Sequence, residues 1–290
     1  MTSPNLKIGL LAAIGVLFVW SGFIVFSRAG VQAGLTPYDL VAGRFAVAGA
    51  AILPFAWAWW PRHLPLRIQF GMALFGPGAA YSLLMFSGLV NASAAYGGVF
   101  ANGALPLFTM LLVFVLNAAL PKRSEVFAAL VIISGSVLVA WSALNAGGKD
   151  VALGIVMFLI ASALVAGYLY LVRQWAVTPK QALCVANVPN ALVFLPIWYF
   201  FLPSTMAETD VQVVLAQVLF QGLGPGLLAL VLFTMAAYHL GPTPMATIAA
   251  SVPASATLLA IPVLGEVPTP LEWAGIATVT VGLGLLLRNR

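Results

Sequence analysis

Two stretches of this chain carry no formal charge, Ile68 to Pro121 and Val211 to Gly265, each more than fifty residues long. As a single helix either would run roughly 80 Å, at ~1.5 Å per residue. Neither presents water with a polar face. A soluble domain needs charged and polar groups over its surface, and the rest of the chain does not supply them: 7% of the 290 residues are charged and 62% are apolar. The solvent such a sequence suits is hydrocarbon. There every backbone N–H and C=O must be satisfied internally, which leaves helices or a closed barrel. Barrel strands alternate apolar and polar residues, whereas these apolar runs are continuous. The chain is expected to be an all-α integral membrane protein.

A hydrocarbon core of about 30 Å takes roughly 20 residues of helix. Runs of that length predict ten spans, near 7–28, 38–60, 69–88, 93–117, 125–144, 151–174, 180–201, 211–238, 244–264 and 271–287. Turns within the uncharged stretches are expected at Gly88–Asn91 and His239–Pro244, which are rich in helix-breaking residues. The first run, Ile8 to Ser27, is longer than the apolar region of a signal peptide and is expected to be the first span. Lysine and arginine orient the chain. Lys7, Arg62, Arg67, Lys122, Arg123, Arg173, Lys180, Arg288 and Arg290 fall on the side of both termini, and only Arg28 and Lys149 on the other. Both termini are therefore expected in the cytoplasm, in a multi-pass protein of the cell inner membrane.

The two halves of the sequence match in order. Gly9, Gly22 and Arg28 correspond to Gly154, Gly167 and Arg173 at an offset of 145; Thr36-Pro37 and Leu53-Pro54 to Thr178-Pro179 and Leu195-Pro196 at 142. Gly76-Pro77-Gly78 corresponds to Gly224-Pro225-Gly226 at 148, and Pro106, Pro121, Glu125 and Gly135 to Pro253, Pro268, Glu272 and Gly282 at 147. The expected organisation is one five-helix repeat in residues 1–145 and a second in 146–290. Five is odd, so the second unit enters the membrane from the opposite side. Inverted repeats are a device of secondary transporters, where exchanging the conformations of the halves moves access from one face to the other.

Together with Trp20-Ser21-Gly22-Phe23, Gly43-Arg44-Phe45, Pro106, Pro253, Gly265-Glu266 and Glu272-Trp273-Ala274-Gly275, these features resemble the drug/metabolite transporter superfamily, in particular its EamA-type ten-span members. The resemblance implies movement of metabolites through a central cavity between the halves. The overall look is similar to the YddG-type exporters of aromatic and other neutral amino acids. The expectation is a secondary transporter exporting such amino acids by alternating access. The alternatives are a multidrug or other metabolite transporter of the same fold, a channel, or a membrane enzyme. One departure stands out: Ala118-Ala119 occupies the place of Gly265-Glu266.

Arg44 is the sole charge well inside a span, roughly 10 Å below the surface at ~1.5 Å per residue. It either attracts a substrate carboxylate or serves structure, by snorkelling outward or by pairing with Asp39 or backbone carbonyls. Trp20, Phe23, Tyr81, Tyr96, Tyr168 and Tyr170 are candidate walls of the cavity, since aromatic faces suit apolar solutes and cations. Asn102 and Ser251 add polar groups on the fourth and ninth spans, where Ser93, Gly97 and Ala101, and Thr243, Thr247 and Ser255, read as packing surface. Pro106 and Pro253 fall mid-span, where a missing donor predicts kinks. With Pro77 and Pro225 they are candidate hinges. Trp57, Trp59, Trp60, Trp198 and Trp273 read as interfacial anchors.

The net charge of +5 comes from scattered residues rather than a basic patch, which argues against nucleic acid. A lone Cys184 excludes an internal disulfide, and His63 and His239 at helix ends do not make a metal cluster. No metal, cofactor or catalytic group is expected. No span carries a clear carboxylate for protons, Asp39, Glu266 and Glu272 lying toward the outer face, so exchange or facilitated diffusion fits better than proton coupling. The expected partners are a small solute and lipid, with the monomer as the unit.

Overall fold

Helix starts in this chain are set by side chains that satisfy the first free amides. Asn5 caps α1 (Leu6–Gln32), its Oδ1 accepting from the amides of Lys7 and Ile8 at 3.0 and 3.3 Å. Thr36 and Asp39 form a reciprocal capping box at the start of α2 (Pro37–Ile52), and Thr178 with Gln181 repeats it at α9 (Pro179–Phe201). Glu125 accepts from the amide of Lys122 at the head of α8 (Arg123–Gln174), as Glu272 accepts from that of Thr269 before α13 (Pro270–Arg288). The sequence matches at offsets 142 and 147 are in part matched helix caps.

The structure, a computed structural model, describes residues 5–118, 120–240 and 248–288, apart from the side chains of Thr234, Ala237 and Tyr238. Among them there is no strand. After α2 a 3₁₀ turn leads to α3 (Ala56–Trp59); α4 (Leu66–Phe75) and α5 (Ala79–Asn91) follow, then α6 (Ala94–Gly97), a π-helical turn at 98–103, and α7 (Leu105–Asn117). In the second half α10 (Val211–Leu223) runs through a π-helical turn into α11 (Ala229–Leu240), and α12 (Val252–Leu264) precedes α13. Eight helical stretches are long and apolar enough to cross a membrane: Leu6–Gln32, Pro37–Trp59, Leu66–Asn91, Ala94–Asn117, Arg123–Gln174, Pro179–Phe201, Val211–Phe233 and Pro270–Arg288. Val252–Leu264 is a shorter apolar helix. The 52 residues of α8 are interrupted at Gly148, with φ 60° and ψ −139°. Only glycine adopts such a backbone freely.

Large apolar side chains cover the outside: Trp57, Leu66, Leu120 and Phe201 are each 80% exposed or more. Water does not tolerate such a surface, and lipid does. Inside, helices meet where side chains are smallest. A Cβ on Gly135 of α8 would stand 2.7 Å from the carbonyl oxygen of Gly275 on α13, and one on Gly282 would stand 2.7 Å from Ile132 Cγ1 and 3.2 Å from the carbonyl of Ala128. These contacts are reciprocal. Residues 128 and 275, like 135 and 282, differ by 147. Likewise Gly9 of α1 lies against Leu240, and Gly154 of α8 against Ala92, at register-related positions.

Several expectations need correction. Gly88–Asn91 is not the turn; helix continues to Asn91, because Gly88 gives Phe158 a seat, and the chain reverses at Ala92–Ser93. Trp198 is more than an anchor, since its Nε1 donates to Asp39 Oδ1 at 3.0 Å. At the other expected turn helix runs through Leu240, and Thr243, Pro244 and Thr247 lie outside the described residues. At both mid-span prolines a helix restarts: Pro106 and Pro253 sit in the first turn of α7 and α12, where the missing N–H is not needed.

Candidate functional site

Arg44 lies on the second turn of α2 and is 3% exposed. Its guanidinium faces two aromatic rings, at 5.5 Å from the centroid of Phe23 and 5.9 Å from that of Phe45. Nη2 donates to the carbonyl of Pro77 at 3.2 Å, and Nε is buried without a partner. Asp39, the nearest carboxylate in sequence, is fully engaged elsewhere. It accepts from the amide of Thr36, Trp198 Nε1, and both the amide and hydroxyl of Thr205. Of the structural roles considered for Arg44, pairing with Asp39 and snorkelling are therefore not what the side chain does; among the described residues one backbone carbonyl is its hydrogen-bond acceptor. Among the described residues the one ion pair is Arg28–Glu266.

The aromatic shell around Arg44 is built from α1, α5 and Phe45 of α2 itself. Phe23 stacks on Tyr81 with centroids 6.3 Å apart and planes at 17°, and meets Phe86 at 5.7 Å. Trp20, one turn earlier on α1, packs on Phe233 instead. Ser21 and Ser82, next to this shell in sequence, are buried with hydroxyls that have no partner. The cation–π contacts offset part of the desolvation of the guanidinium. They do not remove it: a buried arginine inside a span remains costly, up to about 2.5–3.5 kcal/mol at the membrane centre on the mildest scale. A buried cation with a free N–H and a ring beside it can receive the carboxylate of a solute whose remainder is apolar.

The other candidates fall into different neighbourhoods. Tyr96 donates to Glu272, whose carboxylate also accepts from Ser142 Oγ at 3.2 Å and the amide of Thr269 at 2.7 Å. Tyr96 is thus tied to a helix cap rather than to Arg44. Glu272 and Asp39, expected only near the outer face, are both buried and fully hydrogen-bonded. Asn102 lies in the π-helical turn before α7. Tyr168 packs against Gly76, where a Cβ would be 3.0 Å from its ring. Ser251 precedes α12. Pro77 is at the gap between α4 and α5, and Pro225 within a continuous π-helical turn.

Three residues went unnoticed in the sequence. Gln217 and Gln221 on α10 reach α1, donating to the carbonyl of Phe26 at 2.7 Å and to Ser27 Oγ at 2.8 Å. Asn190 on α9 reaches the gap at Pro77. Amides inside apolar helices were the available signal, since each must find a partner in hydrocarbon.

The two ends of the bundle differ. At the end of α1 farther from the N-terminus, Arg28 Nε donates to Glu266 at 2.8 Å, and Arg28 also donates to the carbonyls of Leu89 and Val90. At the opposite end Arg173, the register mate of Arg28, lines a cleft of about 290 Å³ with Val113, Asn117, Tyr170 and Gln174. Of the sequence candidates only Tyr170 lines that cleft, its hydroxyl donating to Asn117 Oδ1 at 2.8 Å.

Comparison with known proteins gives one reading. The model of the EamA-like transporter family matches residues 7–141 and again residues 152–288. The uncharacterized transporter YwfM of Bacillus subtilis (strain 168) is 27% identical over 263 residues, covering 86% of this chain and 83% of its own. A crystal structure shares the fold with a TM-score of 0.65 at 19% identity, over 98% of this chain and 99% of that one.

Proposed function

Because the chain belongs to the EamA-like transporter family, and is a multi-pass membrane transporter of small molecules, we propose that its solute is a neutral amino acid, aromatic ones included. Arg44 takes the carboxylate. The observation that carries this is the buried guanidinium with an unpartnered Nε, set against Phe23, Phe45 and Tyr81. One cation suits one carboxylate, and aromatic walls suit an apolar side chain.

In this reading the protein has ten spans. Its 52-residue α8 would be roughly 78 Å long at ~1.5 Å per residue, against a core of about 30 Å, so it makes two passes that reverse at Gly148. The spans form two inverted five-helix repeats. The reciprocal contacts of Gly135 and Gly282 between antiparallel helices support that symmetry, as do the two family matches. Export across the inner membrane proceeds by alternating access from a monomer whose termini are cytoplasmic. The closed clasp at Arg28–Glu266 and the cleft at Arg173 support a conformation open toward the termini.

The test is counterflow into vesicles holding purified protein. Phenylalanine is expected to exchange, and phenylalaninamide, which lacks the carboxylate, much less. Arg44→Ala is expected to lower phenylalanine exchange about 10-fold or more, as loss of a charge-assisted contact implies, with little effect on residual amide transport. Equal loss for both compounds, or exchange of the amide alone, would remove Arg44 from the site.

A further inference from the structure

Gly-Pro-Gly occurs twice in this chain, and its two copies have different backbones. At Gly76-Pro77-Gly78 the helix is broken: Gly76 has ψ −173° and Gly78 ψ −164°, both extended, between the end of α4 and the start of α5. At Gly224-Pro225-Gly226 the helix is distorted, with Gly224 at ψ −88°, but it is not interrupted, and a π-helical turn over 224–228 carries α10 into α11. Proline withholds a donor in both copies, so the tripeptide cannot account for the difference.

What differs is the residue across from each. Gly78 faces Asn190, and Gly226 faces Ala48: a Cβ on Gly78 would stand 2.7 Å from Asn190 Nδ2, and one on Gly226 would stand 3.0 Å from the Ala48 Cβ. Asn190 and Ala48 occupy the same register position of the matching segments, 142 apart. Asn190 Oδ1 accepts from the amide of Ala79 at 2.9 Å, and Nδ2 donates to the carbonyl of Ala73 at 3.1 Å and to that of Ala186 at 2.9 Å. One side chain thus supplies an acceptor to the free head of α5 and a donor to the free tail of α4. Those are the groups a helix break leaves orphaned in hydrocarbon. Alanine can supply neither. Arg44 adds a second hold, donating to the Pro77 carbonyl, and its own register mate is Ala186.

We propose that Asn190 is the positioning residue that keeps the first Gly-Pro-Gly broken, and that Arg44 ties the solute site to that break. The second half of this rests on the reading of Arg44 given above; the first does not. A solute held at Nε shares one guanidinium with the carbonyl at the break, so movement of α4 against α5 is felt at the site. The second copy lacks both groups and stays wound.

Hydrogen–deuterium exchange on the full chain in lipid nanodiscs, without any solute, tests this. A wound segment protects amides that a restarting helix leaves free. Asn190→Ala makes the first copy like the second, and is expected to slow exchange across residues 78–82 about 10-fold, with Arg44→Gln slowing it by about 3-fold. The reciprocal Ala48→Asn is expected to speed exchange across 224–230. A mutant that is merely destabilised exchanges faster everywhere, the opposite sign. Unchanged or faster exchange at 78–82 in a folded Asn190→Ala overturns the proposal, as does an unchanged 224–230 in Ala48→Asn, which decides alone if Asn190→Ala does not fold. No effect of Arg44→Gln overturns the role of Arg44. Failure of the transport assay leaves these outcomes untouched.

Discussion

At the scale of single residues, Glu266 joins α1 and α6 to the loop before α13. Its two oxygens accept from Arg28 of α1 and from the amide of Ala94 at the head of α6, while Arg28 also caps carbonyls at the end of α5. The matching position in the first half of the sequence is Ala119, which has no carboxylate to offer. Glu266→Gln keeps the shape and removes the charge. If access alternates as proposed, a cysteine replacing the buried Ala95 is then expected to react with a polar thiol reagent roughly 3- to 10-fold faster, because the closed population would shrink; an unchanged rate would mean the pair does not govern that mouth. Ala118 records the repeat differently. It has φ 50° where its mate Gly265 has φ 68°, so the left-handed helix end is kept although the glycine is lost. An alanine in that region is strained by roughly 1 kcal/mol. Ala118→Gly is expected to raise the unfolding midpoint in detergent by about 2 °C, and a fall would show that the strain is not there.

At the scale of elements, helix contact is decided by the absence of side chains. Gly135, Gly275 and Gly282 let α8 and α13 approach until backbone meets backbone, and a Cβ on any of them would clash with a carbonyl or amide. Backbone cannot yield as a flexible side-chain tip can. Gly135→Leu or Gly275→Leu is expected to destabilise by about 3 kcal/mol or more, seen as loss of folded protein on size exclusion. Gly284→Leu should be silent, since nothing lies within 4 Å of it. The repeats made Gly135 and Gly282 legible in sequence as matched positions, whereas Gly275 matches Ala128. Their partners were not, because an offset says which residues correspond and not which ones touch. The same holds for Pro106 and Pro253, whose mid-span placement announced an interruption without showing that each would open a new helix.

At the scale of the whole molecule, topology is the consequence to check. If α8 reverses at Gly148, a cysteine there and one at Met206 should react from one side of the membrane, and cysteines at His63 and Ala176 from the other. Labelling of position 148 from the same side as position 63 would contradict two passes in α8 and, with them, the inverted repeat. What the sequence determined alone was whatever depends on solvent and on near neighbours. An uncharged run that cannot face water, a backbone that must bond to itself in hydrocarbon, and a Thr-Pro that caps a helix start all act within a turn or two of chain. Tertiary structure decided the rest. Two identical tripeptides, Gly76-Pro77-Gly78 and Gly224-Pro225-Gly226, took different backbones because an amide from 111 residues away satisfies one gap and a methyl group faces the other. Arg44 was left with a carbonyl and two rings because Asp39 had better partners on α9 and the loop after it. Such outcomes turn on which distant atom completes an unsatisfied group, and in a low-dielectric interior that completion outweighs any local preference.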